Sequence, residues 1–92
     1  MQTVAAHEAL HAVGDQCRQA NPDPRSISAS LSVIISFALR YPVGRFPIDD
    51  ETATAASLLS VTREVVAECA PSQLSVVDAA TRAIVPAKGE TP

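Results

Sequence analysis

The stretch that decides the fold of this chain is SISASLSVIISFAL, residues 26–39. Apolar side chains occupy every odd position from Ile27 to Leu39 and serines occupy positions 28, 30, 32 and 36, which is the alternation of a strand. As a helix, the same stretch would place Ile27, Leu31 and Ile34 on one face. The stretch is long for a strand and ordinary for a helix, and no other segment offers a convincing partner strand. We therefore predict a largely buried central helix here.

Helical periodicity predicts three further helices, which proline-containing breaks separate from one another. The first covers residues 2–20, the third begins at Asp49-Asp50-Glu51 and ends at Cys69, and the fourth runs to about Val85. Acidic residues favour a helix start, so either Asp49 or Asp50 is expected to cap the third helix.

The start of the central helix is marked by Asp23, which is expected to cap it, and by Pro24 at its first position. Together these signals predict an all-α fold, a small four-helix bundle-like domain. The domain is expected to cover residues 1–86, with a disordered tail at 87–92.

The composition and charge of the chain limit the classes of protein to which it could belong. The chain has 92 residues, 47% hydrophobic but only 3% aromatic, so small aliphatic residues must build a thin core that a partner would help to cover. Seven basic against ten acidic residues give a net charge of -3 with no basic stripe, which disfavours nucleic-acid binding.

No signal peptide is visible, and the uncharged run 26–39 is too short to span a membrane. We expect a soluble, cytoplasmic protein that forms a homodimer through its second or third helix.

The two cysteines, Cys17 and Cys69, are predicted to be free, buried thiols. A chain without a secretory signal more often keeps its thiols reduced. In an up-down-up-down bundle the first and third helices are parallel but diagonal. Diagonal helices hold Cα atoms well beyond the roughly 7 Å that a disulfide tolerates.

The sharpest functional signal is HEALH, residues 7–11, which contains both histidines of the chain. Residues i and i+4 share a helix face, so His7 and His11 could hold one zinc ion while Glu8 activates its water. Against this, the fixed cation of Arg18 would lie on the same side of the helix, and the sequence supplies no clear oxyanion donor. The interpretation favoured by this context is a pair of surface histidines on an amphipathic helix.

Gly14 and Cys17 extend the pattern, which then resembles the H-E-x-x-H-x-x-G-x-x-H motif of the metzincin zinc peptidases. Cys17 stands where that family has its third histidine ligand, and a cysteine can also bind zinc. The resemblance implies a zinc-dependent hydrolase, or a remnant of one. Its metal ligands would be His7, His11 and Cys17, and Glu8 would be the catalytic base.

The segment AHEALHAV, residues 6–13, followed by Asp23-Pro24 further along the chain, also looks like the peptidase helix of the AAA+ membrane-anchored zinc proteases. That family usually has glycine where Leu10 stands, and the resemblance is confined to residues 6–24. In the family a later acidic residue completes the zinc site. The candidates for it here are Asp49, Asp50, Glu64 and Glu68.

The overlapping pattern of Glu8 and His11 allows a second metal hypothesis. Ferritin-type bundles build di-iron sites from E-x-x-H on one helix and a lone glutamate on another. With one such motif per chain, two chains would have to share the site. Glu64 or Glu68 would then be the partner carboxylate.

The loop YPVGRFP, residues 41–47, contains the only tyrosine and one of the two phenylalanines. Tyr41, Arg45 and Phe46 on this stiff loop could form a recognition surface, or Phe46 could plug the end of the bundle. Phosphate loops and paired cysteine motifs are absent from the sequence. We therefore predict a small helical interaction or regulatory module that acts through a protein partner or self-association, with no cofactor and no catalysis of its own. The alternative is a zinc-dependent hydrolase.

Overall fold

Four α-helices and one antiparallel hairpin make up the part of the chain, residues 2–48 and 51–84, that this computed structural model describes. The predicted four-helix architecture is confirmed, and the small hairpin is an addition to it. The predicted tail at 87–92 lies outside the described residues. In chain order the elements are α1 (Gln2–Cys17), α2 (Pro24–Arg40), β1 (Arg45–Ile48), β2 (Glu51–Thr54), α3 (Ala55–Cys69), a 3-10 turn (Pro71–Gln73) and α4 (Leu74–Ile84).

The segment whose pattern fits both a strand and a helix is a helix, as predicted. Asp23 caps α2 by accepting the backbone N–H of Arg25 at 3.0 Å, and Pro24 occupies the first turn, where no N–H is needed. The residues buried along α2 are Ile27, Leu31, Ile34 and Ala38. Their spacing is that of one helical face, whereas Val33 and Leu39 from the alternating set stay partly exposed.

The chain between α2 and α3 differs from the prediction. The predicted helix start at Asp49-Asp50-Glu51 is wrong, because β2 occupies Glu51–Thr54 and α3 begins only at Ala55. Thr54 caps α3, since its Oγ1 accepts the backbone N–H of Ser57 at 3.1 Å. The β-branched threonines at 52 and 54 favour an extended chain, and pairing with β1 provides partners for its backbone. The predicted caps Asp49 and Asp50 are not among the described residues.

Phe46 of β1 is the largest fully buried side chain and belongs to the same core as the helices. Its approach depends on Gly44, whose backbone N–H donates to the carbonyl oxygen of Tyr41 at 2.8 Å. A Cβ on Gly44 would come within 2.9 Å of the Tyr41 Cβ. Of the two interpretations of this loop, the structure therefore matches the one in which Phe46 fills the core.

The prediction of free thiols at Cys17 and Cys69 is wrong, because the two residues form a disulfide with a Cα–Cα distance of 5.5 Å. They are the last residues of α1 and α3. Since α1 packs on α2 and α3, and α4 packs on the same two helices, the diagonal of the bundle separates α1 from α4. Helices α1 and α3 are neighbours, and their C-terminal ends meet closely enough for the bond.

A surface ion pair joins α3 to α4. The Nε of Arg63 donates to Oδ1 of Asp78 at 2.7 Å. This hydrogen bond and the attraction between the charges raise the pKa of the Arg63 guanidinium. Thr62, the residue before Arg63, is buried. Its hydroxyl donates a hydrogen bond to the carbonyl oxygen of Leu58 at 2.7 Å, so this buried polar group has a hydrogen-bond partner.

Replacing Gly44 by alanine is expected to destabilise the protein by about 1–3 kcal/mol, because the new methyl group would overlap Tyr41. Gly14 on α1 is the matched control. A Cβ there meets the far end of Arg18 at an ordinary 3.9 Å. Alanine favours a helix interior by about 0.5–1 kcal/mol over glycine. Urea denaturation of both variants measures the difference, and a Gly44→Ala protein as stable as the unmodified chain would contradict the tight turn.

Replacing both cysteines by serine is expected to lower the free energy of unfolding by about 2–4 kcal/mol, because the unfolded chain regains the freedom of the closed loop. Thermal melting should respond to reductant in the unmodified protein and not in the double-serine variant. The intact mass under non-reducing conditions should lie two hydrogens below the fully reduced mass. A fully reduced mass under those conditions would show that the bond does not form.

Candidate functional site

A cleft between α1 and α3 contains both histidines of the predicted motif. Its volume is about 280 Å³. Leu10, Val61 and Val65 form its apolar part, and Gly14 leaves its wall without a side chain. Its polar residues are His7, His11 and Arg18. We call this site the α1–α3 cleft.

The ring of His7 is held by the hairpin. Its Nδ1 lies 2.7 Å from the backbone carbonyl oxygen of Pro47, and because a carbonyl only accepts, Nδ1 carries the proton and donates it. In the neutral ring the lone pair is then on Nε2. His7 is half-buried, so it is less open to solvent than a histidine on a free helix surface. Sequence reasoning missed the Pro47 contact because it joins positions 40 residues apart.

His11 and Glu8 complete the motif on the same helix. The centroids of the His7 and His11 rings are 4.5 Å apart with 67° between the ring planes, so the spacing brings the two imidazoles together as predicted. His11 is exposed. Glu8, the candidate base, is also exposed and does not belong to the lining of the α1–α3 cleft.

The third ligand that zinc requires is the weak point of the metal hypothesis. Within residues 2–48 and 51–84, no three His, Cys, Asp or Glu side chains are grouped to hold a metal ion. The candidate ligand Cys17 is bonded to Cys69 and offers no thiolate in this state. Glu64 and Glu68 are exposed on α3. The remaining candidates, Asp49 and Asp50, are not described.

Arg18, the first residue after α1, lies along the same cleft as the histidines, on the side that the sequence predicted. Its guanidinium forms an ion pair with Asp15, one turn earlier on the helix. The carboxylate partly offsets the positive charge that Arg18 brings to the cleft, although both side chains are well exposed to solvent.

The residues predicted as a recognition surface separate into two groups. Phe46 is buried, whereas Arg45 is exposed and Tyr41 is half-buried. Tyr41 stacks on Phe37 with ring centroids 6.3 Å apart. The guanidinium of Arg40 lies 6.0 Å from the centroid of the Phe37 ring. The accessible aromatic pair is therefore Phe37 with Tyr41, at the C-terminal end of α2.

The side of α2 that faces solvent forms a second candidate surface. We call it the outer face of α2 and define it by the exposed residues Arg25, Ala29, Ser32, Val33, Ser36, Leu39 and Arg40. Between its two arginines α2 contains no charged residue. Val33 is 37% exposed and Leu39 is 45% exposed.

Two depressions border the outer face of α2, and the first is lined by Ser32, Val33, Ser36, Phe37 and Arg40. A groove of about 250 Å³ lies toward α4 and has Leu31 and Ile35 within it. Val76 of α4, which is 49% exposed, lines the other side of this groove. The sequence predicts association through the second or third helix, but it does not specify which residues of α2 stay exposed. The run of serines was the available signal that one side of the helix meets water.

Comparison with protein-family models, with curated proteins and with solved structures gives no match to this chain. None of the four described helices has both the length and the hydrophobicity that crossing a bilayer requires. The function of the chain is therefore inferred from its own surfaces, beginning with the α1–α3 cleft and the outer face of α2.

Replacing His7 by alanine is expected to lower the free energy of unfolding by about 0.5–1.5 kcal/mol, because its hydrogen bond to the Pro47 carbonyl is lost. Glu8→Ala is the control on the same helix. Because Glu8 is exposed, we expect a change of no more than about 0.5 kcal/mol. Urea denaturation measures both values, and equal values would show that the contact between His7 and Pro47 adds no stability.

Proposed function

We propose that this chain is a small helical interaction module that forms a homodimer through the outer face of α2 and has no catalytic activity of its own. The observation that carries the proposal is the uncharged, partly apolar surface between Arg25 and Arg40. At 1.5 Å per residue this surface is about 20 Å long. A flat helix side of that length suits another protein surface better than it suits a small molecule.

Exposed apolar side chains support a contact at this place. A single exposed valine is ordinary in a monomer, so exposure alone decides nothing. Here the two depressions beside α2 share Ser32 and Ser36, which makes the surface continuous from one side of the helix to the other. Val33 and Val76 border it. Continuous surface of this kind is typical of contact sites.

A second copy of the chain is the occupant that the shape of this face favours. In an antiparallel crossing centred midway between Val33 and Ser36, each Val33 meets the small Ser36 of the other copy, and the helix dipoles oppose one another favourably. Small side chains at the crossing allow axes to approach to about 8–10 Å. Arg25 and Arg40 remain at the rim in water, which is where charged residues stand in protein interfaces.

A charge placed at the centre of this face tests the proposal. Val33→Glu is expected to shift the dimer to monomer, because the new carboxylate would be buried without a partner. Val43→Glu is the matched control, since Val43 is 93% exposed on the loop before β1 and lies outside the outer face of α2. Light scattering at micromolar concentration should give twice 9.6 kDa for the unmodified chain and for Val43→Glu, and 9.6 kDa for Val33→Glu.

Two results would contradict the homodimer. One is a mass of 9.6 kDa for the unmodified chain at micromolar concentration. The other is a Val33→Glu variant that remains dimeric while keeping the helical circular dichroism of the unmodified chain. In either case the outer face of α2 would not be a self-association surface.

Zinc-dependent hydrolysis is the second candidate function, and one observation favours it. Donation from the Nδ1 of His7 to a backbone carbonyl leaves Nε2 as the nitrogen available to a metal, and histidines that bind metals are commonly oriented in this way. The His11 ring lies next to it at a centroid distance of 4.5 Å. In this alternative Glu8 would act as the base.

Elemental analysis of protein purified without a histidine tag distinguishes the two candidates. Under the interaction proposal, we expect no stoichiometric metal and no effect of a chelator on the melting temperature. Stoichiometric zinc or iron that is lost in the His7→Ala, His11→Ala double variant would favour the metal hypothesis instead.

A further inference from the structure

We propose that the Cys17–Cys69 disulfide is a site of thiol–disulfide exchange, at which a low-molecular-weight thiol attacks the Sγ of Cys69. A groove of about 270 Å³ opens beside Cys69. We call it the proline groove, because Pro22, Pro24 and Pro71 line it. The inference does not depend on the homodimer, since none of these residues belongs to the outer face of α2.

The walls of the proline groove are fixed by local structure. Each proline has a restricted φ, so the three segments that border the groove have little backbone freedom. The Nε2 of Gln73 donates to the carbonyl oxygen of Pro24 at 3.4 Å, which joins the 3-10 turn to the start of α2. Because its walls are held in place, the groove remains open as a route by which a small molecule can reach Cys69.

The two cysteines differ in their place relative to the proline groove, although both are half-buried. The Sγ of Cys17 lies 3.9 Å from the backbone carbonyl oxygen of Val65, one turn before Cys69 on α3. Cys69 lines the proline groove together with Ile27 and the prolines, whereas Cys17 is not among the lining residues. Attack is therefore directed to Cys69.

The exchange balances without any further reagent. The incoming thiolate forms a new S–S bond with the Sγ of Cys69, the Cys17–Cys69 bond breaks, and its electron pair goes to the Sγ of Cys17. That sulfur takes a proton from water, because a thiolate at the C-terminal end of α1 would face the negative end of the helix dipole. The resulting S–H of Cys17 has the Val65 carbonyl oxygen as a nearby acceptor.

The product differs from the starting protein in how α1 is held. Cys69 carries a mixed disulfide in the proline groove, and the covalent link between the ends of α1 and α3 is gone. The α1–α3 cleft is formed by these two helices. Exchange at Cys69 would thus loosen the end of the cleft at Arg18 while the contact between His7 and Pro47 holds the other end.

Glutathione added to the oxidised protein tests the site of attack. Samples quenched with acid at low conversion and mapped by peptide mass spectrometry should contain the glutathione adduct on Cys69, with Cys17 as a free thiol. An adduct mainly on Cys17, an equal division between the two, or no adduct at any conversion would overturn the proposal. Circular dichroism before the quench establishes that the folded protein reacted.

A substitution that fills the proline groove gives an independent test. Ser72 lines the groove, so Ser72→Trp is expected to slow adduct formation at least about threefold by blocking the approach to Cys69. Ser75→Trp is the matched control, since Ser75 is exposed on α4 and does not line the groove. An unchanged rate in Ser72→Trp, or equal slowing in both variants, would show that the groove is not the route of attack.

Discussion

The side chain of Phe46 determines where the hairpin meets the helices, and the geometry around it follows from that position. Burying a side chain of this size contributes about 1.5–3 kcal/mol, which is large for a domain with so few aromatic residues. With Phe46 in the core, β1 lies against α1, so the carbonyl of Pro47 reaches His7. Gly44 must turn without a side chain, and β2 returns to deliver Thr54 as the cap of α3. A single buried ring thereby affects both the histidine pair and the start of a helix.

The helices and the histidine pair are predictable from the sequence because their signals are local. Asp23 and Pro24 mark the start of α2, and the i, i+4 spacing places His7 and His11 side by side in any α-helix. The hairpin is not predictable in the same way. The acidic residues near Glu51 resemble a helix start. The burial of Phe46 overrides that local preference, and this burial depends on distant residues, so a short segment of sequence does not predict it.

The disulfide was missed for a related reason. Periodicity places Cys17 and Cys69 near the C-terminal ends of their helices, but it does not say which helices are neighbours. Which helices become neighbours depends on how the apolar faces of the four helices, which differ in width, pack together. Here α2 and α3 each contact both α1 and α4, so α1 and α3 are adjacent and the cysteines meet. Alanines at buried positions such as Ala6, Ala38 and Ala55 allow close helix packing, yet they cover little apolar surface and leave the outer face of α2 uncovered.

The bond between residues 52 positions apart also changes the topology of the molecule. It turns α2, the hairpin and α3 into a covalent ring, with α1 and α4 attached to it as two tails. A protease that cuts the backbone once inside this ring produces two pieces that remain one molecule. A cut at the Pro71–Gln73 turn, which begins two residues beyond Cys69, leaves α4 with no covalent link to the rest of the protein. Helix α4 is therefore the one described helix that a single cleavage can remove from the oxidised protein whole.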